Sequence, residues 1–273
     1  MRIRTPFLLL FFVNFLFSQT TRAYYQFTYK PNKTDTLKQT ELQILLFNNE
    51  KSSFQSYKQL QRDSLIAVSL EYKNKSGEFS HNDENFNKSI TNQYIVETNI
   101  KEKSIQFTDI LGNQISASYQ ENVNLKWNLE NEKMDILNIS CQKATTNFGG
   151  REWIAWFASD YNSSFGPYKF FGLPGLILKL YDSDQNFDWE VYGIKNYNDS
   201  QLYEKNYFEL QAFPTTQIDK KRFLKMVKQV KERPMGNVKE SFPDISGEML
   251  KDILEREKKE IEKNKYYNNP IEI

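Results

Sequence analysis

From Tyr94 to Tyr197 the hydrophobic pattern keeps a period of two, and no long helical stretch interrupts it. The segments YIVETN, SIQFTDIL, QISASYQE, NLKWNLE, DILNISCQKATTNF, REWIAWFASDY and FDWEVYGIKNY read as short strands. They are punctuated by charge, by Gly112-Asn113 and by the tight Phe148-Gly149-Gly150 turn. Strands that follow one another with short turns and no crossover helices predict an antiparallel meander rather than βαβ units. One face of such a sheet lies on a core while the other meets solvent. Aromatic residues make up 15% of the chain, which suits half-buried pleated surfaces.

Upstream, AYYQFTYK and TELQILLFNN predict two more strands joined by a polar link. SFQSYKQLQRDSLIAV loosely follows a helical period and predicts a short helix over 53–68, followed by a long polar surface loop over 73–93. The last quarter changes character. In DKKRFLKMVKQVKERP, Phe223, Met226, Val227 and Val230 fall at helical spacing, with Asp219 as N-cap and Pro234 as stop. SGEMLKDILEREKKEIEKNK predicts a second helix with Leu250, Ile253 and Leu254 inward. The predicted class is therefore α+β, mainly β: a curved antiparallel sheet, a meander or open half-barrel, with a C-terminal helical segment. Its expected parts are a signal peptide (1–18), a β-rich domain (19–200) and a helical segment (201–273).

The first of these parts rests on MRIRTPFLLLFFVNFLFSQTTRA. Two arginines precede an apolar run about half the length needed to span a bilayer, the pattern of a secretory leader. Cleavage is expected after Ser18, with Ala23 as the alternative. Export to the periplasm or cell exterior follows, with no transmembrane segment left after the leader is removed. Lys+Arg (36) and Asp+Glu (35) balance, so no general field favours nucleic acid. One cysteine, Cys141, and one histidine, His81, exclude an internal disulfide, CxxC sites and multi-histidine metal centres. No metal or cofactor is expected.

Near the centre stands GPYKFFGLPGLILKLYD, residues 166–182. A phosphate loop needs glycine-rich backbone at a helix start, whereas here a strand follows and the GK[ST] ending is missing. Leu173-Pro174-Gly175-Leu176 has proline and glycine where a type II turn wants them, so a sharp bend with Gly175 at positive φ is expected. Beyond it Leu176, Leu178 and Leu180 share one face of a strand.

The longer stretch FGGREWIAWFASDYNSSFGPYKFFGLPGLILKLYD resembles the GLPGLI family, secreted proteins of Bacteroidetes. Gly172, Leu173, Pro174, Gly175, Leu176 and Ile177 carry the hexapeptide intact. Gly150, Arg151, Trp153, Ala155 and Trp156, then Gly166 to Phe170, match the pattern that precedes it, and YYNNPIEI matches the usual ending. The resemblance implies an exported β-rich protein of Bacteroidetes and implies no catalytic residues.

Candidate chemistry is sparse. A Cys141–His81 pair would be a nucleophile and its base, but a buried, inert thiol is the commoner fate of such a cysteine. Asp182, Asp184 and Asp188 are explained by turn chemistry more simply than by calcium, since the glycine and closing glutamate of an EF-hand are missing. Arg151, Trp153, Trp156, Tyr168 and Lys169 concentrate the residue types of binding hot spots. The competing reading is packing, with Arg151 paired to an acid across the sheet. Three residues apart, the two tryptophans should point to opposite faces. Lys220, Lys221, Arg222, Lys225, Lys228 and Lys231 make the 219–233 helix basic, and a solvated face is preferred over contact with a membrane surface. Two functions are carried forward. The first is a non-enzymatic envelope protein binding an apolar ligand, peptide or partner on the concave face of its sheet. The alternative is a secreted hydrolase using a carboxylate pair.

Overall fold

Tyr25, Phe27 and Tyr29 alternate with Gln26 and Thr28, and that alternation sets the two faces of the central strand β1 (Thr20–Tyr29). In the computed structural model, which describes residues 20–76, 90–111, 115–197, 215–236 and 244–272, β1 is flanked by strands from both halves of the chain. The expected leader, His81 and the Gly112-Asn113 turn lie outside the described residues.

On one side run β2 (Gln39–Phe47), β3 (Lys51–Ser56), β4 (Ile95–Asn99), β5 (Ser104–Leu111) and β6 (Ile115–Asn122). On the other run β11 (Phe187–Tyr197), β10 (Leu176–Asp182), β9 (Arg151–Ala158), β8 (Ile139–Phe148) and β7 (Asn128–Ile136). Every one of these pairings is antiparallel. A two-residue strand β12 (Thr216–Gln217) adds in parallel at the free side of β6. The result is one large, open, curved sheet, mainly β, with helices at the C-terminal end.

The inner face carries the main core. Phe27 stacks on Trp189 at 4.4 Å between ring centres, and Phe107 of β5 lies 5.3 Å from Tyr119 of β6. The outer face has a smaller cluster. There Leu60 of helix α1 (Tyr57–Ser76) packs on Ile44 and Leu46 of β2, and Tyr57 meets Tyr24 edge-on.

Several expectations change. Residues 53–56, expected to start the helix, belong to strand β3 instead, because β3 is held between β2 and β4 and that pairing outweighs a weak helical period. The helix begins at Tyr57 and runs to Ser76, into the stretch expected to be loop. DILNIS is broken by a hairpin turn at Leu137-Asn138, both at positive φ (52° and 62°), although neither residue is glycine.

Helix α2 (Lys220–Glu232) starts where the sequence places it, with Asp219 accepting from the Arg222 amide at 2.9 Å. Its Phe223 is buried against Phe107 and Tyr119 on the inner face. Helix α3 (Gly247–Tyr266) buries none of its residues, and Leu254, expected inward, is 49% exposed.

Under α2, the Asp109 side chain of β5 belongs to the inner face. Burial pushes its carboxyl up to about 7, against the opposing pulls of the Ile110 amide and the Lys231 charge. An unfolded aspartate titrates near pH ~3.9, so between there and neutrality the folded chain holds a proton that the unfolded chain has lost. The stability this confers is complete below about pH 4 and is lost as pH rises through the folded value. Asp109→Asn should therefore match the wild type in urea denaturation at acid pH and exceed it at pH ~8.

Candidate functional site

The seventeen-residue link between β9 and β10, residues 159–175, returns the glycine–proline stretch across the inner face. Phe165, Phe170, Phe171 and Leu173 are all buried there. Phe170 lies 4.8 Å from Trp153, Tyr168 lies 5.5 Å from Tyr94, and Phe165 lies 6.0 Å from Phe47. The link is fixed by backbone bonds, Gly172 N to Ser164 O at 2.7 Å and Ile177 N to Phe165 O at 3.0 Å. From the sheet side, the Tyr25 hydroxyl donates to Ile177 O at 2.6 Å. These side chains occupy the face on which an apolar ligand was expected.

The expected type II geometry is not what the glycines supply. Gly172 takes the left-handed region (φ 95°), whereas Gly175 does not. Gly175 is required for closeness instead: a Cβ there would stand 2.3 Å from Ala158 O, at the end of β9. The strand that follows is buried at Leu176, Ile177, Leu178 and Leu180, because a bulge between Ile177 and Lys179 interrupts the simple alternation.

The five candidate binding residues, Arg151, Trp153, Trp156, Tyr168 and Lys169, are all buried. Arg151 is the hub of one cluster. Its Nη1 donates to Asp182 Oδ2 at 3.0 Å, Nη2 to Asn269 Oδ1 at 2.7 Å and Pro270 O at 2.9 Å, and Nε to Ile271 O at 3.2 Å. Its guanidinium lies 4.8 Å over the Phe187 ring. Asp182 also caps the β10–β11 turn, accepting from the Phe187 amide at 2.8 Å and from Asn186 at 3.1 Å.

Lys169, with no exposed side-chain surface, is the hub of the second cluster. Its Nζ donates to Tyr119 at 2.8 Å, Glu121 at 2.6 Å and Glu272 at 2.5 Å. Lys220 of α2 bridges the same two glutamates at 2.6 and 3.3 Å, so two cations meet two anions. Tyr168 donates to Glu272 at 2.7 Å. Burial works to raise the Glu272 carboxyl, but the Lys169 charge and the Lys169 and Tyr168 hydrogen bonds hold it below the usual range. Burial pushes the Tyr168 phenol well above its ordinary value.

Both clusters close on the segment 267–272. That segment is anchored at its other end by Asn269, which donates to Lys30 O at 2.9 Å, and by Asn268, which accepts from the Lys33 amide at 2.9 Å. Arg151, Tyr168 and Lys169 thus converge on one strap. The tryptophans do not join them there: Trp153 packs in the inner core, while Trp156 faces the other way, aligned with Lys143 and Lys179. Sequence reasoning missed Tyr119, Glu121, Lys220, Asn269 and Glu272. In the sequence Lys220 stands out only as part of the basic helix, and Asn269 and Glu272 only within the YYNNPIEI ending, because the contacts that join them to the site link positions about 50 to 120 residues apart.

Cys141 is buried and its thiol is pushed up to about 11 by burial. Among the described residues, no three His, Cys, Asp or Glu side chains converge as a metal site. Of the aspartates after the motif, Asp182 belongs to the Arg151 cluster, Asp184 is exposed, and Asp188 faces outward beside Glu190. Among the described residues, no helix is long and apolar enough to cross a membrane.

No family model matches the chain, and no curated protein matches it. Among solved structures it is similar to PNGF-II in two crystal forms. Each shows 18% identity over 78% of this chain and 34% of that one, with TM-scores of 0.53 (C2) and 0.50 (P21). The chain thus spans about a third of the length of PNGF-II. A putative outer membrane lipoprotein-sorting protein domain from Vibrio parahaemolyticus aligns over 71% of this chain and 91% of its own at 6% identity, with a TM-score of only 0.24. What the chain shares with PNGF-II is a fold.

Proposed function

We propose that this is an exported, non-enzymatic protein of the cell envelope, of the GLPGLI type, that binds its partner or ligand on the outer face of its sheet. The observation that carries this reading is the closure of the inner face. There the link aromatics fill the described surface, and the charges of Arg151, Lys169 and Lys220 are matched within the chain. Among the described residues, α1 covers the outer face over β1, β2 and β3, and polar grooves stay open beside Gln106 and beside Glu190. The export part rests on the leader-like N-terminus. Cleavage after Ser18 leaves β1 whole, whereas cleavage after Ala23 would remove four of its ten residues.

A photoactivatable residue placed in turn at Gln26 and Glu190 on the outer face, and at Leu224 on α2, tests the reading in the host envelope. Adducts from the first two positions and none from Leu224 are expected. Adducts confined to Leu224 would move the contact to the basic helix, and the reading would fall.

A further inference from the structure

The ladder between β1 and β11 skips one residue. Tyr25 aligns with Val191 and Tyr24 with Gly193, so Tyr192 is the unpaired residue of a β-bulge. The bulge shifts the alternation, which brings Ile194 back to the core side and leaves Tyr192 projecting from the outer face, 73% exposed. A Cβ on Gly193 would meet nothing within 4 Å, so the space beside it is open. Next to the tyrosine is a shallow groove of about 270 Å³ lined by Gln26, Thr28, Asp188, Glu190, Val191 and Tyr192.

The groove floor is rich in hydrogen-bonding groups. Thr28 and Gln26 lie directly across the ladder from Asp188 and Glu190. Glu190 accepts from Lys179 at 2.5 Å, which leaves its charge balanced. Asp188 Oδ1 is buried and, among the described residues, has no hydrogen-bond partner, an arrangement a native fold rarely leaves unmatched. Burial raises the Asp188 carboxyl above its ordinary value.

This chemistry selects its ligand class. A strand cannot add here, because β1 and β11 are paired on both sides. With Glu190 neutralised by Lys179, the Asp188 carboxylate is the charge left on the floor, and it disfavours phosphate, sulfate and uronate groups. An apolar ligand would strand the amide, hydroxyl and carboxylate groups of the floor. A hydroxyl-rich neutral molecule satisfies them, since its hydroxyls donate to carboxylates and exchange bonds with Gln26 and Thr28. A flat apolar face of the same molecule covers the Tyr192 ring.

We propose that the β1–β11 groove is a binding site for a neutral saccharide, with Tyr192 as its stacking platform and Asp188 and Glu190 as acceptors for sugar hydroxyls. This inference rests on the outer-face reading and gives that face a ligand.

The test is affinity electrophoresis of the full chain through gels holding plain hexose and pentose polymers, with acetamido-sugar oligomers as soluble competitors and a polyuronate gel as control. The two neutral arms separate a free polysaccharide from wall-type glycan strands. Retardation by a neutral polymer, or binding of the acetamido-sugar oligomers, with none by polyuronate, is expected. Tyr192→Ala should weaken binding about tenfold, Tyr192→Phe should retain it, and Asp188→Asn should weaken it. Unfolding midpoints of the variants check that the sheet is intact. If neither neutral arm binds, or if binding survives Tyr192→Ala unchanged, the inference is wrong. Should that happen while photo-crosslinks still map to positions 26 and 190, the saccharide falls and the outer-face reading stands.

Discussion

Arg151→Ala is expected to lower the unfolding free energy by about 3–5 kcal/mol, because it leaves the Asp182 carboxylate buried without its cation. For a chain of this size that corresponds to a fall in Tm of about 10 °C. The effect should not be confined to the ion pair. Arg151 also donates to Asn269, Pro270 and Ile271, so its loss frees the strap from the sheet. Limited proteolysis should then cut within 267–272 before the strands open. Arg151→Lys keeps a charge but lacks the planar fork that serves Asp182 and the strap together, so it should be only partly restoring. If Arg151→Ala melts with the wild type, the buried pair contributes nothing and the strap is held by other groups.

The second large effect is expected at Gly175. A methyl group there would sit 2.3 Å from Ala158 O, and its nearest neighbours are backbone that cannot rotate away. Relief requires β9 and β10 to separate at the point where the link enters the sheet, so Gly175→Ala should cost about 3 kcal/mol or more. Gly193→Ala is the internal control. It meets open space and should change stability by less than about 0.5 kcal/mol. Equal melting curves for the two variants would contradict the close approach read at Gly175.

The sheet was legible because its strands alternate and their turns are short. β1, β2, β5, β9 and β11 are visible in the period of Tyr25, Phe27, Leu45, Phe107, Trp153 and Trp189. The Asp219 cap was legible for a local reason, since a side chain three residues before an amide is all it needs. What failed was non-local. Residues 53–56 open a stretch with a loose helical period, yet β2 and β4 claim them as a strand, and only those partners decide the matter. The Leu137-Asn138 turn uses positive φ without the glycine that would have marked it.

The candidate residues show the same division. Arg151, Trp153, Trp156, Tyr168 and Lys169 were recognisable as a concentration of unusual side chains. Their partners Glu121, Lys220 and Glu272 are ordinary charged residues in a chain rich in them. Nothing short of the fold shows that four distant segments meet at Lys169. The groove at Tyr192 was equally hidden, because a bulge is a property of two strands in register and not of either sequence alone.

Everything proposed for the outer face depends on the glycine–proline link being an inner wall of the sheet rather than a surface loop. Amide hydrogen exchange followed residue by residue tests this most directly, at the Gly172 and Ile177 amides that donate to Ser164 and Phe165. Protection within about tenfold of the Tyr25 and Trp189 ladder amides is predicted, with the link opening only as the sheet opens. Exchange of both amides at the rate of an open loop, while the ladder stays protected, would contradict the account.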